Sequence, residues 1–331
     1  DVISFARKMG YFNGKDKDFD FAKAYGVWDF SALRGCDARV WAFFNRYCSG
    51  MEKYLPYING DKDAEIMPLY IKPDKKVSVR DMQNMMRDHF EGTPFDMTQD
   101  AGAKIFWDLP YRFRPMSFKV DGVEYTNERA IATQQTAFVL VSQMRSWLPN
   151  EIGGIHWFGV DDANTNVFVP MYCCINSAPK SYDEKTADMY TLSWESAFWV
   201  NNWVANQAYS RYSLMIDDIR KVQKTIEDNF EQNMANVEAE ALKLHKDSPK
   251  MVVPYLTKYS HSVAEYATAE YKKLGEYLLV KFLDGNRKKE ADGKFKRNPD
   301  GLPVQPDFPG YNEEYLRAIV KDAGEHLKVT F

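Results

Sequence analysis

An α+β fold follows from one contrast in the sequence and one local signal. Residues 1 to about 182 mix short helical patterns with alternating apolar runs, whereas residues from about 183 onward carry mainly helical periodicity. Within the first part, Asp121-Gly122 separates the alternating run 116–120 from Glu124-Tyr125, which is a hairpin turn dipeptide between two strands. A chain of 331 residues makes about two structural units the prior. The expected division is a mixed core over 1–182 and a helical extension over 183–331 packed on it.

The elements follow in chain order. Residues 2–9 are apolar-periodic and end at Gly10; 13–20 form a charged loop, and 21–25 are ambiguous. Val40, Phe43, Phe44 and Tyr47 share helical spacing behind Asp37, and Ser78 caps a helix over 79–90 with Met82, Met85, Met86 and Phe90 on one face. Ile131, Thr133, Thr136, Val139 and Val141 make 129–144 a long strand. Residues 153–160 and 166–174 form an antiparallel hairpin around the turn-rich Asp161-Asp162-Ala163-Asn164. From 194 to 230, apolar or aromatic residues recur at 204, 208, 212, 215, 219, 222, 226 and 230, with one break expected near Asn201-Asn202. Residues 237–245 extend that helix or follow a short turn. A second long helix spans 252–283, a solvated loop 285–309 carries Arg287, Lys288 and Lys289, and an amphipathic helix covers 312–327.

Composition excludes several classes. Hydrophobic residues make up 45% and charged residues 27%, enough apolar material for a core, so the chain is not disordered. Lys plus Arg number 43 against 47 Asp plus Glu, a net charge of -4, which lacks the positive excess of a nucleic-acid binder. No run of 18 apolar residues exists, so a helical membrane span is not expected. Cys36, Cys48, Cys173 and Cys174 are too few for a disulfide framework, have no metal-ligand spacing, and Cys173-Cys174 read as two buried thiols on opposite faces of a strand.

No phosphate-binding Gly-rich loop, zinc-binding His-Glu-x-x-His helix or Gly-x-Ser-x-Gly elbow is present, and no metal or cofactor is expected. Three polar clusters remain. Arg87-Asp88-His89 with Glu91 closes the 79–90 helix and reads most simply as a helix-end ion cluster. Arg129 to Gln135 places an Arg, Thr133, Gln134 and Gln135 on an otherwise hydrophobic strand, where buried polar groups either knit a network or face a cleft. Asp161, Asp162, Asn164 and Asn166 either serve the turn or grip a free α-amino group, which requires carboxylates.

A resemblance then joins these clusters. Met86-Arg87-Asp88-His89-Phe90-Glu91-Gly92-Thr93-Pro94-Phe95-Asp96-Met97 resembles a signature of the bacterial cysteine-dependent dipeptidases of the N-terminal-nucleophile hydrolase superfamily. The likeness continues through Leu109-Pro110-Tyr111-Arg112, Asn127-Glu128-Arg129-Ala130-Ile131, Thr133-Gln134-Gln135-Thr136, Gln143-Met144-Arg145-Ser146-Trp147-Leu148-Pro149, Trp157-Phe158-Gly159-Val160-Asp161-Asp162 and Val169-Pro170-Met171-Tyr172. Arg34-Gly35-Cys36-Asp37-Ala38-Arg39-Val40-Trp41 fits as well, and the likeness thins in the helical tail.

The resemblance implies an αββα sandwich and hydrolysis of dipeptides through an acyl-enzyme. The nucleophile is the thiol of an N-terminal Cys whose own α-amine is the base. This sequence opens on Asp1, so it is expected to be a C-terminal fragment with the nucleophilic Cys on a separate N-terminal chain of the same precursor, the two forming a nicked heterodimer within a higher oligomer. No catalytic residue is expected here. The expected substrate contacts are Arg129 or Arg145 for the dipeptide carboxylate, Asp161 or Asp162 for its amine, and Gln134, Gln135, Asn164 and Asn166 as cleft walls. An extracytoplasmic site, periplasmic or secreted, is expected, with the cytoplasm as the alternative. The competing readings are a non-catalytic interaction or ligand-binding module, and a stand-alone thiol enzyme using Cys36 or Cys173.

Overall fold

The order in which helix caps, turn dipeptides and apolar stripes follow one another builds two compact units, Asp1–Val77 with Phe113–Ala130, and Ser78–Arg112 with Ile131–Phe331. The computed structural model describes residues 1–26, 29–100, 102 and 109–330.

The first unit holds α1 (Val2–Lys8), α2 (Phe21–Tyr25), α3 (Phe30–Ala32), a π-helical turn over Leu33–Asp37, α4 (Ala38–Asn45) and α5 (Leu55–Ile58). Carboxylates start three of these helices: Asp1 accepts from the Ser4 N–H, Asp20 from Lys23 and Asp29 from Ala32, each meeting an N–H that a helix start leaves unpaired. Trp41 of α4 is buried, and its indole N–H donates to the Met51 carbonyl at 2.8 Å. The expected hairpin is β1 (Ser117–Val120) and β2 (Val123–Thr126), closed by Asp121 and Gly122 at φ 50° and 81°. Both positive values match the turn type that follows strand twist.

The second unit starts with α6 (Val79–Met86), where Ser78 and Asp81 form a capping box. Then come β3 (Phe138–Met144), α7 (Asn150–Gly153), β4 (Gly154–Val160), β5 (Val169–Tyr172), α8 (Ala197–Ala208), α9 (Tyr212–Asp247), α10 (Val252–Lys281), β6 (Glu290–Ala291), β7 (Lys294–Phe295) and α11 (Glu313–Ala323). β3, β4 and β5 form an antiparallel sheet in that order. Alternation sends Val139, Val141, Ile155, Trp157 and Tyr172 to one face, where they are buried with Val200 and Val204 of α8, Ile219 and Ile226 of α9 and Leu256 and Leu274 of α10. Each such side chain contributes about 1.5–3 kcal/mol on burial. Phe138, Leu140 and Met144 point the other way and are exposed. Gly275 lets α10 approach α8: a Cβ there would stand 2.4 Å from the Trp203 ring. The fold is α+β, as expected.

Several elements differ from the sequence reading. The strand expected over 129–144 begins only at Phe138, because the Ala132 N–H is drawn to the Asp88 carbonyl and Thr133 and Thr136 close a turn. The helix expected to reach residue 90 ends at Met86, and Phe90 turns to φ 71°. The first long helix breaks at 209–211 rather than at Asn201-Asn202, since the Asn201 amide donates back to the Ala197 carbonyl within the helix, while Ser210 Oγ donates to the Gln207 carbonyl at the break. Residues 237–245 continue α9. Cys173 is exposed rather than buried, and all four cysteines are free.

Candidate functional site

The segment after β4 holds an unusual run of buried polar residues: Asp161, Asp162, Asn164, Thr165 and Asn166 are each 1% exposed or less. Asp161 has φ 65°. Among the described residues, the other aspartates with positive φ, Asp121, Asp284 and Asp292, each precede a glycine of positive φ in a tight turn, whereas Asp161 precedes Asp162. A left-handed aspartate held without a turn glycine is local strain that the surrounding structure must enforce. Asp162 folds the loop onto itself, its carboxylate accepting from the N–H groups of Asn164 and Thr165 and from Thr165 Oγ1 at 2.9 Å.

Two helices enforce the rest. Gln223 of α9 donates to the carbonyls of Asn164 and Asn166 at 2.9 and 2.6 Å, Arg220 donates to the Asn164 carbonyl at 2.6 Å, and Tyr271 of α10 donates to the Thr165 carbonyl at 2.7 Å. Glu227, one turn further along α9, accepts from the Phe168 N–H at 2.9 Å and pairs with Arg80 and Arg87. Gly159 completes the cradle: a Cβ there would stand 2.6 Å from Asn166 Nδ2.

A second strained segment meets the loop. Phe90, buried at φ 71°, places His89 on one side and Glu91 on the other. The fully buried His89 ring has Nε2 at 3.1 Å from the Tyr209 hydroxyl, which itself stands 3.1 Å from Asp162 Oδ2. Its Nδ1 lies 3.2 Å from Asn164 Nδ2 and 3.3 Å from Glu91 Oε1. Tyr212 donates to Asn164 Oδ1 at 2.7 Å, and the Tyr111 ring packs 5.5 Å from His89 and 5.3 Å from Tyr209.

The electrostatics single out one carboxyl. Burial, together with the neighbouring Asp162, raises Asp161 to about 7 against the opposing hydrogen bond from Asn202, whose amide reaches Oδ1 at 2.9 Å. Asp161 Oδ2 is buried and has no hydrogen-bond partner among the described residues, and the same holds for Asn166 Oδ1. Glu91 moves the opposite way: burial works to raise it, but hydrogen bonds from the His89 ring and backbone hold it at about 2. Such a loop can present a buried carboxyl oxygen to a cationic group while fixing its own backbone.

Of the residues the sequence singled out, Asp161, Asp162, Asn164 and Asn166 come together here. Gln134 joins through Tyr111, whose hydroxyl accepts from the Gln134 N–H at 3.0 Å and donates to Gln134 Oε1. Gln135 is exposed. Arg129 is exposed and belongs to the first unit. Arg145 follows the far end of β3, where it pairs with Glu238 and donates to the Ile152 carbonyl at 2.8 Å. Of the expected helix-end cluster, His89 and Glu91 meet locally, whereas Arg87 spans 140 residues to Glu227.

Sequence reasoning missed Tyr209, Tyr212, Asn202, Gln223 and Glu227. A signal for two of them existed: Gln223 and Glu227 sit between Ile219, Ile226 and Phe230 on the apolar stripe of α9, where a polar residue needs a buried partner. The tyrosines mark the break between α8 and α9, and nothing local to the sequence points them at residues 89 and 162.

The family model of Peptidase family C69 matches residues 1–225. Probable dipeptidase B of Lactococcus lactis subsp. lactis (strain IL1403) is 23% identical over 230 residues, covering 69% of this chain and 43% of that protein. Probable dipeptidase of Latilactobacillus sakei is 22% identical over 256 residues, covering 77% of this chain and 47% of that protein. Dipeptidase A of Lactobacillus helveticus is 23% identical over 177 residues, covering 54% of this chain and 31% of that protein. The chain thus spans less than half the length of each of these relatives. With its model matched from Asp1 to beyond the start of α9, the chain belongs to peptidase family C69.

Proposed function

We propose that this chain supplies the amine-binding part of an enzyme that hydrolyses dipeptides. The observation that carries the reading is Asp161 Oδ2, a buried carboxyl oxygen without a hydrogen-bond partner among the described residues, on a loop held by α9 and α10. A dipeptide has an ammonium at one end and a carboxylate at the other. The ammonium against Asp161 would replace the missing partner and draw the carboxyl into its charged form. Asp162 is the weaker candidate because Thr165, Asn164 and Tyr209 already engage it. Of the two arginines expected for the dipeptide carboxylate, Arg145 already holds Glu238. The names of the relatives support the substrate class.

In this reading the nucleophile is a Cys on polypeptide outside this sequence, at the N-terminus of a companion chain of the same precursor. Its thiol attacks the peptide carbonyl, the amine of the second residue leaves, and water hydrolyses the acyl-enzyme. The exposed face of the β3–β4–β5 sheet supports a companion: Phe138, Leu140 and Met144 form an apolar strip on an edge strand, and Phe138 stacks on Phe158. A second sheet from the companion laid on this face would make the αββα sandwich. Iodoacetamide labelling of a native preparation tests the reading. Label on a companion chain with an N-terminal Cys, and loss of dipeptide hydrolysis with it, is the expected result; hydrolysis that survives full alkylation contradicts it.

A further inference from the structure

Asn201 and Asn202 are neighbours in the middle of α8, and their amides go different ways. Asn201 is buried and donates back to the Ala197 carbonyl at 2.8 Å. Asn202 leaves the helix and donates from Nδ2 to Asp161 Oδ1 at 2.9 Å, 41 positions away in the chain. One turn further along α8, Asn206 donates from Nδ2 to the Asn202 backbone carbonyl at 2.8 Å and to Asn202 Oδ1 at 3.0 Å. Asn202 is half-buried and Asn206 exposed, so this row of amides runs from the surface to a carboxyl that is 1% exposed.

The row has one orientation. A backbone carbonyl only accepts, so the Asn206 atom on it is the nitrogen. The same nitrogen stands on the Asn202 amide, and the Asn202 atom facing it is therefore the oxygen. The Asn202 nitrogen is left to face Asp161, where the carboxyl offers an acceptor in either protonation state. Oδ1 is thus the carbonyl-like oxygen of Asp161. Oδ2, which has no partner among the described residues, is left to carry the carboxyl's own proton or to meet an incoming donor.

We propose that Asn202 is a positioning residue for Asp161: held in one orientation by Asn206, its amide fixes Oδ1 and keeps Oδ2 as the oxygen offered to a substrate ammonium. The inference rests on the proposed function for that ammonium, whereas the hydrogen-bonded row does not depend on it. Asn202 is the one side chain among the described residues that donates to Asp161. Burial and the Asp162 carboxyl favour the neutral form of Asp161, while the Asp162 N–H works on the side of Asn202. Tyr111 is the other titratable group in electrostatic contact with it. Losing the Asn202 donor therefore disfavours the charged carboxyl and leaves neither oxygen marked for the ammonium.

The test pairs a carboxyl-carbon NMR titration of Asp161 with hydrolysis kinetics, both on a native preparation of the protein, with Asp161→Asn identifying the signal. Asn202→Leu fills the same space, admits no water in place of the amide and suits a helix. Its Asp161 midpoint is expected about one pH unit above the wild-type value of about 7, a tenfold change in ionisation. At pH 7 the charged fraction then falls from about a half to about a tenth, so KM for a dipeptide is expected to rise about fivefold with kcat little changed. At pH 9 both carboxyls are charged, and the two KM values are expected to agree within about twofold. Damage to α8 alone changes KM by the same factor at every pH. An Asp161 midpoint unchanged or lowered in Asn202→Leu overturns the proposal, and so does a KM ratio that is the same at both pH values. If Asn202→Leu does not fold, the exposed change Asn206→Ala decides. It frees the Asn202 amide to reverse, so the midpoint is expected to rise by about 0.3 pH unit, a twofold change in ionisation, and an unchanged midpoint overturns the proposal. Absence of dipeptide hydrolysis from the wild-type protein counts against the function proposed above, while the titration still decides the role of Asn202.

Discussion

Arg87 and Glu227, 140 positions apart in the chain, form an ion pair inside the second unit, with side chains 8% and 1% exposed. Glu227 also takes the Phe168 N–H, so the carboxylate ties the end of α6 to the start of β5 through one middle turn of α9. A buried pair broken on one side leaves an uncompensated charge, at a cost of about 3–5 kcal/mol. Glu227→Ala is expected to lower the urea-unfolding free energy by that amount, and Glu227→Leu with Arg87→Met by less than either single change. A loss under about 1 kcal/mol in Glu227→Ala would show that the pair does not hold the loop.

Gly159→Ala addresses the same loop from the sheet. The added methyl meets Asn166 Nδ2 at 2.6 Å and Cγ at 2.9 Å, and the Asn166 amide is pinned between the Val160 and Asp161 carbonyls. Overpacking of this kind costs about 1–3 kcal/mol. Thermal unfolding is expected to show it, together with a reduction in any dipeptide hydrolysis of the native preparation. An alanine variant indistinguishable from wild type in both assays would mean that the loop is looser than its hydrogen bonds indicate.

Much of the fold was legible in the sequence because it is written locally. Ser78 and Asp81, the Asp121-Gly122 turn and the stripe from 212 to 230 each act over a few residues, and the structure contains the elements they announce. The cluster Asp161, Asp162, Asn164 and Asn166 was legible as a loop for the same reason. Its surroundings were not. His89, Tyr209 and Glu227 reach it across 47 to 75 residues of chain, and only tertiary packing brings them together. The failed strand over 129–137 shows the limit from the other side. Thr133 and Thr136 have strand propensity, but the Ala132 N–H is taken by Asp88, so tertiary contact overrides it.

The carboxyl of Asp161 makes stability depend on pH. Its folded value is raised from 3.8 to about 7, so between those limits the folded state holds a proton that the unfolded state has lost. Unfolding free energy therefore falls as pH rises from about 4 to about 7 and levels off above. The full span corresponds to at most about 4 kcal/mol. Asp161→Asn is expected to flatten this part of the profile and to stabilise the protein more at pH 8 than at pH 4, measured by denaturant unfolding across the range. A variant whose gain is the same at both pH values would show that this carboxyl does not titrate there.

The apolar strip on β3 is expected to be an interface. Phe138→Glu with Leu140→Glu changes side chains that are 59% and 39% exposed, where substitutions cost within about 0.5 kcal/mol of folding stability. Circular dichroism of the double variant should match wild type, whereas affinity purification should no longer recover the companion chain proposed above. Full recovery of the companion by the double variant would place the interface elsewhere.

The most direct measurement is the steady-state kinetics of dipeptide hydrolysis by a native preparation of the protein carrying Asp161→Asn. A charge-assisted hydrogen bond to the substrate ammonium is worth about 1.5–3 kcal/mol, so KM should rise roughly 10- to 100-fold while kcat changes little. A variant with wild-type KM would contradict the assignment of Asp161 to the substrate amine, and with it the role given to this chain.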